Sequence, residues 1–332
     1  MNKKQLPGTD IMLSPITYGA FAIGGWFWGG ADEGEAIKAI ETAIDNGVTT
    51  IDTAPVYGMG HSENVVGNTI KGKRDKVQLL TKFGMRWDTL SGDFAFDTND
   101  NNDKPVKVYK FNGKQSVIEE CERSLKRLQT DYIDLYQMHW PDNTTPIEET
   151  MEALQILKDQ GKIRAAGVCN CPVDLLKKAL SVFPLSTNQV GYSMVNRSIE
   201  NDLVPYCLEN GVGILPHTAL QKGLLTGKIK PGHQFGDGDH RAGNAFFKEP
   251  LHSAVMAMLE KINFIAVERG ISLAQLAINW TMQQPAVTSV LVGARNAEQM
   301  LDNVKATTFL LTTEELNRIK DVLSKMALKT TA

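Results

Sequence analysis

Three ionisable residues each close a short apolar run: Asp52 ends Gly47-Val-Thr-Thr-Ile-Asp52, Lys82 ends Val77-Gln-Leu-Leu-Thr-Lys82, and His139 ends Tyr132-Ile-Asp-Leu-Tyr-Gln-Met-His139. Tyr57 follows Asp52 by five residues, in the turn Ala54-Pro-Val-Tyr-Gly58. If the runs are consecutive parallel strands, an acid, a phenol, an amine and an imidazole converge on one face. A phenol has a reference pKa near 10 and donates a proton more readily than it loses one. A neighbouring ammonium favours the phenolate, and lowering that pKa to about 8 corresponds to about 3 kcal/mol. Lys82 can supply the field, Asp52 can hold Lys82, and His139 can donate to a substrate oxygen. Such a set suits hydride addition to a carbonyl, where the developing alkoxide needs a proton at once.

Each residue alone has a plainer reading: a structural ion pair, a satisfied histidine, an aromatic packed in a turn. One group from each of three successive strand ends argues against taking them separately.

The elements that must position them alternate along the whole chain. The strand-like runs are 16–19, 49–52, 77–82, 132–139, 163–168, 186–190, 212–215 and 289–292, and helical periodicity fills the gaps. Residues 31–46 carry Ala36, Ile37, Ala39, Ile40 and Ile44 before a Gly47 stop; 116–128 and 147–160 repeat the pattern. Strands alternating with helices imply a parallel sheet with helical crossovers. The glycines of Gly24-Gly25-Trp26-Phe27-Trp28-Gly29-Gly30 lack GxGxxG spacing, which counts against an open dinucleotide-binding sheet. The expectation is a single-domain (β/α)8 TIM barrel over residues 1–332. Long loops follow strands 3 and 7: Phe83 to Gly113, rich in Asp and Asn with a hairpin at Val106 to Phe111, and His217 to Pro250.

Length and composition fit this picture, with 332 residues, 42% apolar content and a net charge of −3. That charge gives no reason to expect nucleic acid or an acidic membrane as a partner. No apolar stretch is long enough to span a bilayer, and no apolar region directly follows the lysines near Met1, so neither anchor nor signal peptide is expected. Cys121, Cys169, Cys171 and Cys207 have neither redox-pair nor zinc spacing and read as buried thiols of a cytoplasmic protein.

The segments Asp52-Thr-Ala-Pro-Val-Tyr57-Gly58, Glu63, Thr81-Lys82, Gln137-Met-His139, Gly167-Val-Cys-Asn170 and Gly293-Ala-Arg295 together resemble the motif set of the aldo-keto reductases. The similarity spans roughly residues 6 to 325. It is nearest to bacterial members with a short C-terminal tail, close to inositol-dehydrogenase-like enzymes and potassium-channel β subunits. The resemblance implies a barrel that binds NADPH extended, without a Rossmann motif, with NAD as the other possible cofactor. It implies that Tyr57 is the general acid, that Lys82 and Asp52 tune it, and that His139 orients the carbonyl.

Further positions carry over from the resemblance one at a time. Asn170 and Gln189 match residues that bond the nicotinamide carboxamide, and Cys169 stands beside them where serine is usual. His217 falls where the family stacks a tyrosine or tryptophan on the ring, and Thr218-Ala219 replaces a common Ser-Pro pair. The stretch Leu220-Gln-Lys222-Gly223 to Lys228 resembles the loop folded over the pyrophosphate. Gly293 leads into a helix N-terminus, a natural phosphate seat. Arg295 is the candidate for the 2′-phosphate because a planar fork suits phosphate oxygens. Gln299 and Asn303, one turn apart, would line the adenine. Trp26 and Trp140 would wall a substrate pocket.

The leading expectation is an NADP-dependent reductase interconverting aldehydes, ketones or sugar-like carbonyls with alcohols. Its alternative is a cofactor-binding regulatory subunit of the same family with little turnover. A Schiff-base lyase on Lys82 is disfavoured because Asp52 would keep the amine protonated. A metal hydrolase is disfavoured because none of the six histidines forms a ligand pair. The partner expected is a small-molecule carbonyl or alcohol; the sequence does not fix the oligomeric state.

Overall fold

The apolar runs become strands within two residues of their expected limits. They are β1 Ile16–Gly19, β2 Thr50–Asp52, β3 Gln78–Phe83, β4 Ile133–Met138, β5 Ile163–Cys169, β6 Thr187–Gly191, β7 Gly213–His217 and β8 Val290–Val292. The computed structural model describes residues 1–25, 32–236 and 239–326. All eight strands lie parallel in one sheet, ordered β7-β6-β5-β4-β3-β2-β1-β8. The two edges meet through Ile214, whose N–H donates to the Ala286 carbonyl at 2.8 Å and whose carbonyl accepts from Thr288 N–H at 2.9 Å. This is a (β/α)8 barrel.

The helices are α1 Glu33–Asp45, α2 His61–Thr69, α3 Lys114–Leu128, α4 Ile147–Asp159, α5 Val173–Val182, α6 Leu203–Glu209, α7 Leu251–Arg269, α8 Leu273–Met282, α9 Ala297–Lys305 and α10 Thr313–Ser324. Helix α1 shows why they form. The Asp32 side chain caps its start by accepting from Glu35 N–H at 2.9 Å, and Ala36, Ala39, Ile40 and Ala43 are its buried stripe. Gly47, at φ +82°, then turns the chain into β2.

Two hydrophobic layers flank the barrel wall. Outside, the helices bury Ile40, Val66, Leu125, Leu154 and Leu276 in one continuous core with the outward faces of the strands. Inside, Leu80, Leu135, Ala165, Leu215 and Leu291 cluster with Leu6, Ile11 and Leu13. Those last three come from an antiparallel hairpin pairing Lys4–Gln5 with Met12–Leu13. Each such fully buried leucine contributes roughly 1.5–3 kcal/mol relative to exposure.

The long connections do follow β3 and β7. After β3 the structure is richer than the expected loop with a hairpin at Val106 to Phe111. Three antiparallel segments, Met85–Arg86, Asp93–Asn99 and Pro105–Lys110, form a separate small sheet with the last in the middle. The Asp-rich run is thus partly strand, with an irregularity between Phe94 and Phe96 that breaks the simple alternation. After β7 the chain runs through 3-10 turns at Gln221–Thr226, His240–Gly243 and Ala245–Phe247 before α7. Among the described residues no helix is long and apolar enough to cross a membrane.

Candidate active site

Parallel strands place their C-terminal ends on one face, and that is where the chemistry gathers. Asp52 ends β2, Lys82 is the penultimate residue of β3, and His139 follows β4 with its N–H donating to the Phe83 carbonyl at 2.9 Å. Tyr57 arrives on a tight turn. Gly58 there has φ +64°, and a Cβ on it would lie 2.4 Å from the Gly24 carbonyl oxygen, so only glycine permits this approach. The turn lays the Tyr57 ring against Phe21, with centroids 4.9 Å apart, and edge-on to His139 at 5.8 Å and 80°.

Lys82 sits at the centre of the hydrogen bonding. Its Nζ donates to Asp52 Oδ1 at 2.5 Å, to the Thr53 carbonyl at 2.9 Å and to Tyr57 Oη at 3.3 Å. The Lys82 and Asp52 side chains are 1% and 2% exposed, so water does not screen the pair. Asp52 Oδ2 accepts from Gln189 Nε2 at 2.8 Å and from Gln137 Nε2 at 3.3 Å. All of Lys82's donors and both Asp52 oxygens are therefore occupied, as a buried ion pair requires.

The electrostatics correct one expectation. Burial pushes the Tyr57 phenol up to about 12, and the pull of Lys82 only partly offsets this. The group is thus held as a proton donor rather than brought toward ionisation. Burial opposes the charge on Lys82, yet Asp52 and Tyr57 outweigh it and the ammonium is raised above its ordinary value. Burial, Lys82 and His217 hold His139 well below the ordinary imidazole value, so it is neutral at pH 7. His217 is lowered to about 4 by burial, with Lys82 and Lys222 adding to it.

A cavity of about 680 Å³ is lined both by Asp52, Tyr57 and His139 and by Arg295, Gln299 and Asn303 at and within α9. Asn170, Gln189, His217, Thr218, Leu220, Lys222, Gly223, Lys228 and Gly293 also line it, as does Trp140. Asn170, in the left-handed region at φ +53°, donates from Nδ2 to the His139 carbonyl at 3.2 Å and faces His217 Nε2 across 3.4 Å from its Oδ1. Gly223, at φ +94°, turns the curl that presents Lys222, whose ammonium burial lowers. Asn296 caps α9 by accepting from Gln299 N–H, Gln299 Oε1 accepts from Arg295 N–H at 2.9 Å, and Asn303 Nδ2 donates to the Gly293 carbonyl at 3.2 Å. The Arg295 side chain is exposed and has no ion-pair partner among the described residues.

Cys169 is 1% exposed and does not line the cavity, whereas its neighbour Asn170 does. Trp26, with Phe27 and Trp28, lies outside the described residues. The sequence reading also missed several lining residues. Met85 and Phe96 come from the small sheet after β3, Phe21 and Val56 from turns, Arg241 from the 3-10 turn His240–Gly243 and Asp302 from α9. Arg241 pairs with Asp239 at 2.6 Å. None of these carries a strand-end signature, so only the folded chain reveals them. Among the described residues no group of three or more His, Cys, Asp or Glu side chains could hold a metal ion.

The cavity's lining suits a dinucleotide, for it combines the side-chain amides of Asn170 and Gln189, the Gly223 curl with Lys222, and the N-terminus of α9 beside Arg295. Comparison with known proteins agrees. The Aldo/keto reductase family model matches residues 15–324. The aldo-keto reductase YhdN of Bacillus subtilis (strain 168) is 39% identical, covering 97% of this chain and 94% of its own. The NADH-specific methylglyoxal reductase of Escherichia coli (strain K12) is 37% identical, covering 92% and 93%. Among solved structures, a glycerol dehydrogenase from Gluconobacter oxydans superposes with a TM-score of 0.88 at 36% identity, covering 98% and 96%. An aldo/keto reductase from Klebsiella pneumoniae in complex with NADP and acetate gives 0.71 at 29%, covering 97% and 96%. With its barrel, its strand-end residues and these relatives, the chain belongs to the aldo/keto reductase family of oxidoreductases.

Proposed function

We propose that this protein interconverts carbonyl compounds and alcohols with NADP(H), using Tyr57 as general acid in reduction and general base in oxidation. The observation that carries the reading is the single ammonium of Lys82 bonded at once to Asp52 and to the Tyr57 hydroxyl, both of which line a cavity of about 680 Å³ that also takes in the start of α9. When bound, the dinucleotide supplies the hydride in reduction and receives it in oxidation.

The chain's own residues do the rest. Tyr57 keeps its proton until an oxygen more basic than its own phenolate forms beside it, and Lys82 then stabilises the phenolate left behind. Neutral His139 offers a hydrogen bond to the same oxygen without adding a second charge. Asn170 and Gln189 would hold the carboxamide, and the Gly223 curl with Lys222 and Lys228 the pyrophosphate. His217 and Thr218 would line the ring's far side, with Leu220 beyond them. The apolar side chains of Phe21, Val56, Met85, Phe96 and Trp140 would exclude water from the reacting centre.

The preference for NADP rests on Arg295, whose guanidinium stands exposed beside the N-terminus of α9, ready for a 2′-phosphate. The E. coli relative named as NADH-specific and the Klebsiella structure with NADP show that relatives differ in cofactor. A panel of small aldehydes, ketones, sugars and polyols assayed with each dinucleotide at 340 nm tests the reading. Turnover with NADPH and a kcat/KM at least tenfold above that with NADH is the expected result. No turnover with any carbonyl would favour a binding subunit instead.

A further inference from the structure

Gln137 takes no part in the chemistry described so far, yet its side chain is fully buried inside the barrel among the reacting groups. It stands opposite Lys82 in the β3–β4 register and opposite Gly167 in the β4–β5 register, so it points to the same side as both. Gly167 makes the room: a Cβ there would lie 2.3 Å from Thr187 Oγ1 and 3.4 Å from Gln137 Cγ. Gln137 uses both ends of its amide. Nε2 donates to Asp52 Oδ2 at 3.3 Å, and Oε1 accepts from Gln189 Nε2 at 3.4 Å. Gln189 Nε2 also donates to the same Asp52 oxygen at 2.8 Å, closing a three-membered ring of polar groups.

We propose that Gln137 is a positioning residue: with Gln189 it clamps Asp52 Oδ2, so that Asp52 Oδ1 stays aimed at Lys82 and the seating of a dinucleotide is felt at Tyr57. The link is geometric. Gln189 lines the cavity, whereas Gln137 does not. Both donors of Gln189 are turned toward Asp52 and Gln137, which leaves its carbonyl oxygen for a ligand amide. A carboxamide donating to that oxygen polarises the Gln189 N–H groups and strengthens their bonds to Asp52. Asp52 in turn fixes the ammonium that stabilises the Tyr57 phenolate. Without Gln137, Gln189 loses its brace and Asp52 loses one of two donors on that oxygen, while the cavity wall is unchanged. The inference rests on the dinucleotide reading above.

The test has two arms. In the first, Gln137→Met and Gln189→Met are compared with the parent for NADPH dissociation constant by fluorescence, for kcat and KM, and for the primary deuterium isotope effect. Gln137→Met should keep the dissociation constant within about twofold and lose at least tenfold in kcat, with a larger isotope effect. Gln189→Met should weaken NADPH binding and kcat together. A Gln137→Met protein with parental kcat overturns the proposal, as does one that loses only thermal stability. The second arm needs no variant of Gln137 and no turnover. The Gln137 side-chain amide signals in a 1H–15N spectrum, identified through their contacts, should move when NADP+ is added to the parent protein. They should stay in place when it is added to Gln189→Met; unmoved signals in parent protein saturated with NADP+ overturn the proposal. A parent protein that binds no dinucleotide at all defeats the functional reading itself, a result separate from either arm.

Discussion

The Lys82 ammonium lies 3.3 Å from the Tyr57 hydroxyl, and the phenol nevertheless holds its proton more tightly than free tyrosine does. Desolvation outweighs the neighbouring charge because the ammonium is already committed to Asp52. In the proposed mechanism the pair therefore works as a loaded acid, with Lys82 serving chiefly to stabilise the phenolate once the proton has gone.

A pH asymmetry between the two directions follows. With the phenol at about 12, carbonyl reduction should stay flat within about twofold from pH 6 to 9, because the donor is protonated throughout. Alcohol oxidation needs the phenolate and should rise by up to about tenfold per pH unit over the same range. Tyr57→Phe should lower kcat in both directions by about 10²–10⁴ while leaving NADPH affinity within about twofold. Steady-state rates in both directions, with fluorescence titration of the cofactor, check this. A variant with near-parental turnover would remove Tyr57 from the mechanism.

The lowered histidines make the fold acid-sensitive. His217, at about 4, and His139, well below 6.5, stay neutral in the folded protein where the unfolded chain takes up protons. As pH falls from 6.5 toward 4 the unfolded state binds more protons, so stability falls, by at most about 1.4 kcal/mol per pH unit for each histidine. His217→Asn should flatten that slope by about one histidine's share. Urea unfolding of parent and variant at pH 7, 6, 5 and 4.5 measures the difference, and parallel slopes would count against it.

Cofactor choice should be concentrated at Arg295. Its side chain is exposed, and its backbone N–H, which donates to Gln299 Oε1, fixes the start of α9 independently of the guanidinium. Arg295→Ala should weaken NADPH binding by about 10- to 100-fold and change NADH binding by less than about threefold. Equal losses for the two dinucleotides would show that the guanidinium does not meet the 2′-phosphate.

Glu63 should matter to stability more than to chemistry. Fully buried in α2, it accepts from the Thr81 hydroxyl at 2.6 Å and pairs with Arg127 of α3 at 2.6 Å. Glu63→Ala leaves a half-buried guanidinium without its carboxylate and should cost about 3–5 kcal/mol. Because Thr81 adjoins Lys82, kcat should fall by less than about tenfold in protein that remains folded. Chemical denaturation gives the first number and initial rates the second.

Much of this site was legible in the sequence because strand ends obey a simple rule. Asp52, Lys82 and His139 each terminate an apolar run, and parallel strands bring such ends to one rim. What stayed hidden depends on the third dimension. Phe94 and Phe96, two residues apart among aspartates, are only two apolar positions in Asp93–Asn99, and the register shift between them leaves Phe94 exposed and Phe96 half-buried, an outcome the sequence does not show. Met85 and Phe96 reach the cavity only because that small sheet folds back over the rim. The direction of the Tyr57 shift was misread because spacing reveals the neighbouring ammonium but not the depth of burial. Gln137 was visible two residues before His139, and nothing in one dimension shows that its amide meets Asp52.

The hairpin formed by Lys4–Gln5 and Met12–Leu13 pushes Leu6, Ile11 and Leu13 into the same interior layer as Leu80 and Leu135. It corks the barrel from beneath, and its neighbour Leu80 lies two residues along β3 from the Lys82 ammonium beside the proposed proton donor. Pulling the cork would let solvent rise toward Lys82 and Asp52 from below, loosening an ion pair that depends on dryness. The floor of the proposed reaction chamber is thus built from a segment distant in sequence from every residue assigned a part in the reaction.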